Sequence, residues 1–145
     1  MDYQRSLEVR SKVVDIASTV NWEFYVTGTY RLENATKSIY TVKRRIFSMM
    51  NYFRDREGGK GVSYFIGIEK HRTGMLHWHG LIGRGLNATK EEIFKFMFEK
   101  YGRSTVVEYE PGKGAEHYIT KYIIKNLCEW DIYLNNKDKM KGVAR

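Results

Sequence analysis

The sequence predicts an α+β domain: an antiparallel sheet in ferredoxin-like β-α-β-β-α-β order, with helices on one face and an additional tyrosine-bearing helix towards the C-terminus. Three observations predict it. β-branched and aromatic runs with strand character are separated by segments whose apolar residues recur at helical spacing. Two apolar runs, VSYFIGIE (62–69) and MLHWHGLIG (75–83), are joined by the polar, glycine-bearing KHRTG, which is a hairpin pattern. Glycines and a capping signal mark where helical segments end and begin.

Each element has its own justification. Residues 5–18, RSLEVRSKVVDIAS, are weakly amphipathic and form a leading helix. WEFYVTGTY (22–30) is a strand, and Gly28 inside it marks a bulge or a close backbone approach. From Ser38, the apolar residues Ile39, Val42, Ile46, Met49, Met50 and Phe53 fall on one helical face, and the glycines of REGGKG (56–61) end that helix. The hairpin follows. Thr89 and Glu92 then make a T-x-x-E capping box ahead of Ile93, Phe94, Met97 and Tyr101, and Gly102 terminates the second helix. STVVEY (104–109) is a strand, EPGKG a turn, and Ala115 to Leu127 a third helix. All 145 residues are expected to make a single domain. Its core spans about residues 22–127, a leading helix lies within 1–20, and 128–145 form a mixed, polar C-terminal extension with a basic end that frays.

Composition limits the function. There are 25 lysines and arginines against 17 acidic residues, a formal net charge of +8, which favours polyanion partners through counterion release. The 11 tyrosines add rings on which single-stranded bases can stack. No apolar run approaches the ~20 residues of a membrane span, and MDYQRSLEVRSKVV lacks the apolar core of a secretory signal. The lone cysteine, Cys128, excludes an internal disulfide and fits a reducing compartment. A cytoplasmic protein with no membrane partner is expected.

The stretch MLHWHG (75–80) carries two imidazoles at alternate positions. Alternate strand residues share a face, so His77 and His79 point one way and Trp78 the other. A hairpin closing around residues 70–76 puts Glu69 opposite His77. One face then carries Phe65, Gly67, Glu69, His77, His79 and Leu81. The other carries Tyr64, Ile66, Ile68, Trp78, Gly80 and Ile82, suited to packing under helices. Two imidazoles and a carboxylate make a mixed nitrogen–oxygen site for manganese, magnesium or zinc, with coordination positions left open. Water-bonded surface histidines are the alternative, and His71 in the loop is expected to be exposed rather than a fourth ligand. In EHYITKYIIKNL (116–127), Ile119, Ile123, Ile124 and Leu127 form one stripe, and Tyr118, Tyr122, Lys121 and Lys125 lie on the other side. Either the rings cover the edge of the core, or a tyrosine beside a lysine serves as a nucleophile for phosphoryl transfer.

These residues carry a resemblance. LHWHG resembles the His-hydrophobe-His motif of HUH endonucleases, and YITKYIIK resembles the Tyr-x-x-x-Tyr-x-x-Lys helix of their rolling-circle replication initiators. FYVTGTYR resembles, less closely, the first motif of that family, with Gly28 in place of the usual bulky residue. The motifs occur in family order and span about residues 24–125. The resemblance implies a metal-dependent nickase and strand transferase acting on single-stranded DNA at a replication origin of a plasmid or virus. It assigns Glu69, His77 and His79 to a divalent metal, Mn²⁺ or Mg²⁺, with Zn²⁺ ranked lower. Tyr118 matches the nucleophile of single-tyrosine members, Tyr122 the second tyrosine of two-tyrosine members, and Lys121 and Lys125 the lysines. The sequence holds no Gly-x-x-x-x-Gly-Lys loop, so a helicase is expected to be a separate partner. The protein itself is expected to be a monomer or homodimer. Competing readings are a single-tyrosine transposase of the same superfamily, a non-catalytic nucleic-acid-binding module of ferredoxin-like fold, and a zinc hydrolase that uses water. The run Lys43-Arg44-Arg45 either tracks the DNA backbone or is a solvated face.

Overall fold

The computed structural model describes residues 3–55, 61–119, 127–135 and 138. Its elements run α1 (Tyr3–Ala17), β1 (Trp22–Gly28), α2 (Ile39–Asp55), β2 (Tyr64–Lys70), β3 (Leu76–Gly83), α3 (Lys90–Lys100), β4 (Ser104–Glu108), α4 (Gly114–Tyr118) and β5 (Leu127–Tyr133). The strands form one five-stranded sheet in the order β4-β1-β3-β2-β5, and every neighbouring pair is antiparallel. The α+β class is as the sequence predicts, and the first four strands follow the expected chain path.

The α2 stripe does what its spacing requires. Val42, Ile46, Met49, Met50 and Phe53 are buried together with Ile93, Phe96 and Met97 of α3, against Phe24, Val26, Ile66, Ile68, Trp78 and Ile82 of the sheet. The α3 capping box is formed in both directions, Thr89 Oγ1 accepting from the Glu92 N–H and Glu92 Oε1 from the Thr89 N–H, each at 3.1 Å. Past α3 the chain comes so close to the end of β1 that a Cβ at Gly102 would lie 2.6 Å from the Thr29 carbonyl oxygen and 2.8 Å from the Tyr30 carbonyl carbon. Only glycine allows that approach.

The opposite sheet face is covered at one end only. Val13 and Ala17 of α1, with Ala115, Tyr118 and Ile119, bury Trp22, Tyr25, Phe65 and Leu81 there. The rest of that face is where the histidines project.

Two sequence readings at the C-terminal side need correction. The tyrosine helix does not run from Ala115 to Leu127. Its described part is α4 with Ile119, and Leu127 already belongs to β5. Residues 128–133, read as an irregular extension, are an edge strand that pairs with β2 through Phe65↔Ile132 and Gly67↔Trp130. The extension is also tied down beyond β5: the Asn135 N–H donates to Ser63 Oγ at 2.9 Å, and the Ser63 hydroxyl bonds the buried Asp138 carboxylate.

Candidate metal centre

The hairpin closes where the sequence places it. The His71 N–H donates to the Met75 carbonyl (2.9 Å), the Gly74 N–H donates to that of His71, and Gly74 sits at φ 87°. This register pairs Glu69 with His77 and Gly67 with His79, so the three side chains meet on one face. Glu69 Oε2 lies 2.7 Å from His77 Nε2 and 3.5 Å from His79 Nε2. One ligand atom from each residue falls within 4.8 Å of the others, a spacing that one cation can bridge.

The centre is sheltered but reachable. The side chains of His77, His79 and Glu69 retain 12%, 16% and 18% of their exposure. Burial pushes both imidazoles below their ordinary pKa of 6.5, His71 adding to the effect on His77 while Glu69 opposes it at both. Both are therefore held neutral, the form that binds metal. His77 Nδ1 is buried with no hydrogen-bond partner. A buried unpaired nitrogen beside a carboxylate and a second imidazole is a donor set suited to a cation. His71 is exposed, as expected, yet its ring stacks on His77 at 4.0 Å between centroids.

Two residues that sequence reasoning missed hold His79 from behind. Tyr25 Oη is 3.0 Å and Thr27 Oγ1 3.2 Å from His79 Nδ1, leaving Nε2 turned towards Glu69. Both come from β1, through the pairing Thr27↔His79. Hydroxyl partners of this kind fix the ring and the tautomer of a ligating histidine, and their loss typically costs 10–100-fold in metal affinity. Tyr25→Phe and Thr27→Val together are expected to weaken Mn²⁺ binding about 10–100-fold, as read by calorimetric titration. Unchanged affinity would remove both residues from the centre.

Trp78 anchors the strand from the other face. Its buried indole lies over Gly28, its cross-strand partner, and beside Gly80. A Cβ at Gly28 would fall inside the indole, and one at Gly80 would stand 3.0 Å from its Cζ3 and 2.9 Å from Ile66 Cγ2. The two glycines form the slot for the ring between the histidines.

Tyr118 is buried, 4% exposed, in the small core on the histidine face. Its hydroxyl accepts the Glu110 N–H at 3.1 Å, and its ring meets Tyr25 (5.2 Å) and Tyr109 (4.9 Å). It thus joins the centre through the residue that bonds His79. Lys121, Tyr122 and Lys125 lie outside the described residues. The basic run of α2 divides. Arg45 bonds the Asn34 carbonyl at 2.7 Å and covers the Tyr30 ring, Lys43 pairs with Glu129 at 3.2 Å, and Arg44 is exposed.

Residues 23–127 match the model of a family described as replication-associated protein, of the ORF2 type. No curated protein and no solved structure matches the chain closely enough to serve as a relative.

Proposed function

Since the chain belongs to this ORF2-type family of replication-associated proteins, we propose that it is an HUH-type DNA nickase that initiates rolling-circle replication. In this reading residues 1–145 form one nuclease domain, acting on single-stranded DNA at an origin. The observation that carries it is the Glu69–His77–His79 cluster on the exposed end of a sheet face, with a tyrosine of the family's helix packed against the residue that orients His79. A divalent ion, Mn²⁺ or Mg²⁺, would be held by these three residues and would supply Lewis-acid polarisation of the scissile phosphate.

The remaining chemistry belongs to the chain. A tyrosine oxygen attacks phosphorus, the P–O3′ bond breaks, and the 3′ oxygen leaves as a hydroxyl by taking up a proton. The DNA is left linked through a 5′-phosphotyrosine. Attack by a 3′-hydroxyl reverses the step and rejoins the strand, so no nucleotide is consumed. Tyr118 is the first-ranked nucleophile, and its use requires release of the Glu110 N–H bond. Tyr122 is the second, with Lys121 and Lys125 as phosphate or phenolate partners. A separate helicase would open the duplex.

The test is a denaturing gel with a diverse pool of single-stranded oligonucleotides, incubated with Mn²⁺, Mg²⁺ or EDTA. A metal-dependent covalent adduct is expected. Its loss in Tyr118→Phe would choose that residue, and its survival until Tyr122→Phe is added would show alternating nucleophiles. Cleavage with no adduct, indifferent to both substitutions, would replace this reading with a water-using hydrolase.

A further inference from the structure

The edge strand that sequence reasoning overlooked brings an aromatic ring to the metal-binding face. Residues opposite one another in an antiparallel sheet share a face. The pairings Trp130↔Gly67 and Gly67↔His79 therefore put Trp130, Gly67 and His79 in one row across β5, β2 and β3. Gly67 has no side chain, so β2 places nothing between the indole and the imidazole. Two inter-strand spacings, about 10 Å, separate their backbones. That is a short reach for an extended single strand.

Trp130 is also prepared to receive a ligand. One face of its ring stacks on Phe65, with centroids 5.9 Å apart and planes 23° from parallel, and Phe65 is fully buried. Yet 38% of Trp130 remains exposed. A ring fixed on one side and open on the other loses little freedom when a flat partner lands on it. Nucleobases are such partners, and aromatic platforms beside a cation-bearing site are how single strands are gripped without sequence readout.

We propose that Trp130 is a stacking platform for one nucleobase flanking the scissile phosphate, setting the position of the single strand across the Glu69–His77–His79 centre. The proposal rests on the nickase reading for the identity of the strand. The flanking base lies over the indole while its phosphate neighbour reaches the histidines. Trp130 is a binding residue, so its removal weakens capture of the strand more than the chemical step.

The experiment uses the full chain, Trp130→Leu and Trp130→Phe, with leucine keeping apolar cover over Phe65 without an aromatic face. Fluorescence anisotropy in EDTA measures binding of a labelled oligothymidine strand, and nicking kinetics with Mn²⁺ are measured on an oligonucleotide that the wild type cleaves. Single abasic sites are walked along the strand to either side of the nick. Trp130→Leu is expected to weaken binding and raise KM about 5- to 100-fold with kcat nearly unchanged, while Trp130→Phe stays within a few-fold of wild type. One abasic position should cost the wild type as much as the leucine substitution does, and cost Trp130→Leu nothing more. Wild-type affinity in Trp130→Leu, or additive losses at every abasic position, would overturn the platform. Wild-type protein that binds the strand through Trp130 but never cleaves it would sink the nickase and leave the platform standing. Absence of DNA binding by the wild type would sink both.

Discussion

Alanine at His77 or His79 is expected to abolish metal-dependent nicking, with a loss of at least about a hundredfold, while the metal-free protein stays folded. The activity estimate follows from the several kcal/mol that a bound cation contributes to charge stabilisation at phosphorus, each 1.36 kcal/mol being tenfold. The stability expectation comes from the geometry. His77 Nδ1 is a buried nitrogen with no partner, so deleting the ring removes a polar atom that was costly to bury. Thermal melting separates the two effects. Mn²⁺ at about 100 times its dissociation constant should stabilise the wild type by about 2.7 kcal/mol and leave His77→Ala unmoved. A His77→Ala protein that nicks at the wild-type rate would refute the assignment of the centre.

Acid should do the same without mutation. Burial lowers both histidine pKa values from 6.5, so the folded state binds fewer protons than the unfolded state between the lowered values and 6.5. Stability contributed by these groups is therefore present above that window and is lost as pH falls through it. Protons compete with metal over the same range. The Mn²⁺-induced shift in melting temperature should be level from about pH 8 to about pH 7 and shrink on further acidification. A shift that grows as pH falls would contradict the sign.

Trp78→Ala is the second large effect, expected to cost about 3–5 kcal/mol of folding stability. The indole is 2% exposed and packs among the α2 and α3 side chains, and no neighbour can fill the slot that Gly28 and Gly80 leave for it. The reciprocal change, Gly28→Ala, should cost about 1–3 kcal/mol, because the new methyl group would occupy indole space. The two are coupled. In a Trp78→Leu background the Gly28→Ala cost should shrink towards zero, since the atoms it strikes are gone. Denaturant titration of the four proteins gives the cycle, and equal costs in both backgrounds would disprove the slot. Gly28 is where this chain departs from the bulky residue of the family pattern, and the departure has a physical reason in the size of Trp78.

The part of the site built from one hairpin was legible in the sequence. A strand period of two and a glycine-bearing turn suffice to put Glu69 opposite His77 and both histidines on one face, and the register is as expected. Tyr25 and Thr27 were not legible. Their contact with His79 depends on the β1–β3 register, which nothing local specifies. The end of the tyrosine helix misled for a related reason. Helical spacing in EHYITKYIIKNL continues to Leu127, but tertiary pairing with β2 takes Leu127 into a strand. Trp130 and Ile132 alternate with Glu129 and Asp131, a strand pattern that the two carboxylates disguise as a polar tail.

The glycine-bearing turn has a consequence for how the protein acquires its chemistry in time. Glu69, His77 and His79 are contributed by two strands joined by a short loop, so bringing them together costs little closure entropy and depends on local contacts that form early. The packing of Tyr118 on Tyr25 joins opposite ends of the chain and can form only after the intervening sheet is in place. A nascent or partly unfolded chain should therefore gather its metal ligands before its tyrosine is docked. Such a chain is disarmed: it can hold a cation while it has no positioned nucleophile to turn on DNA.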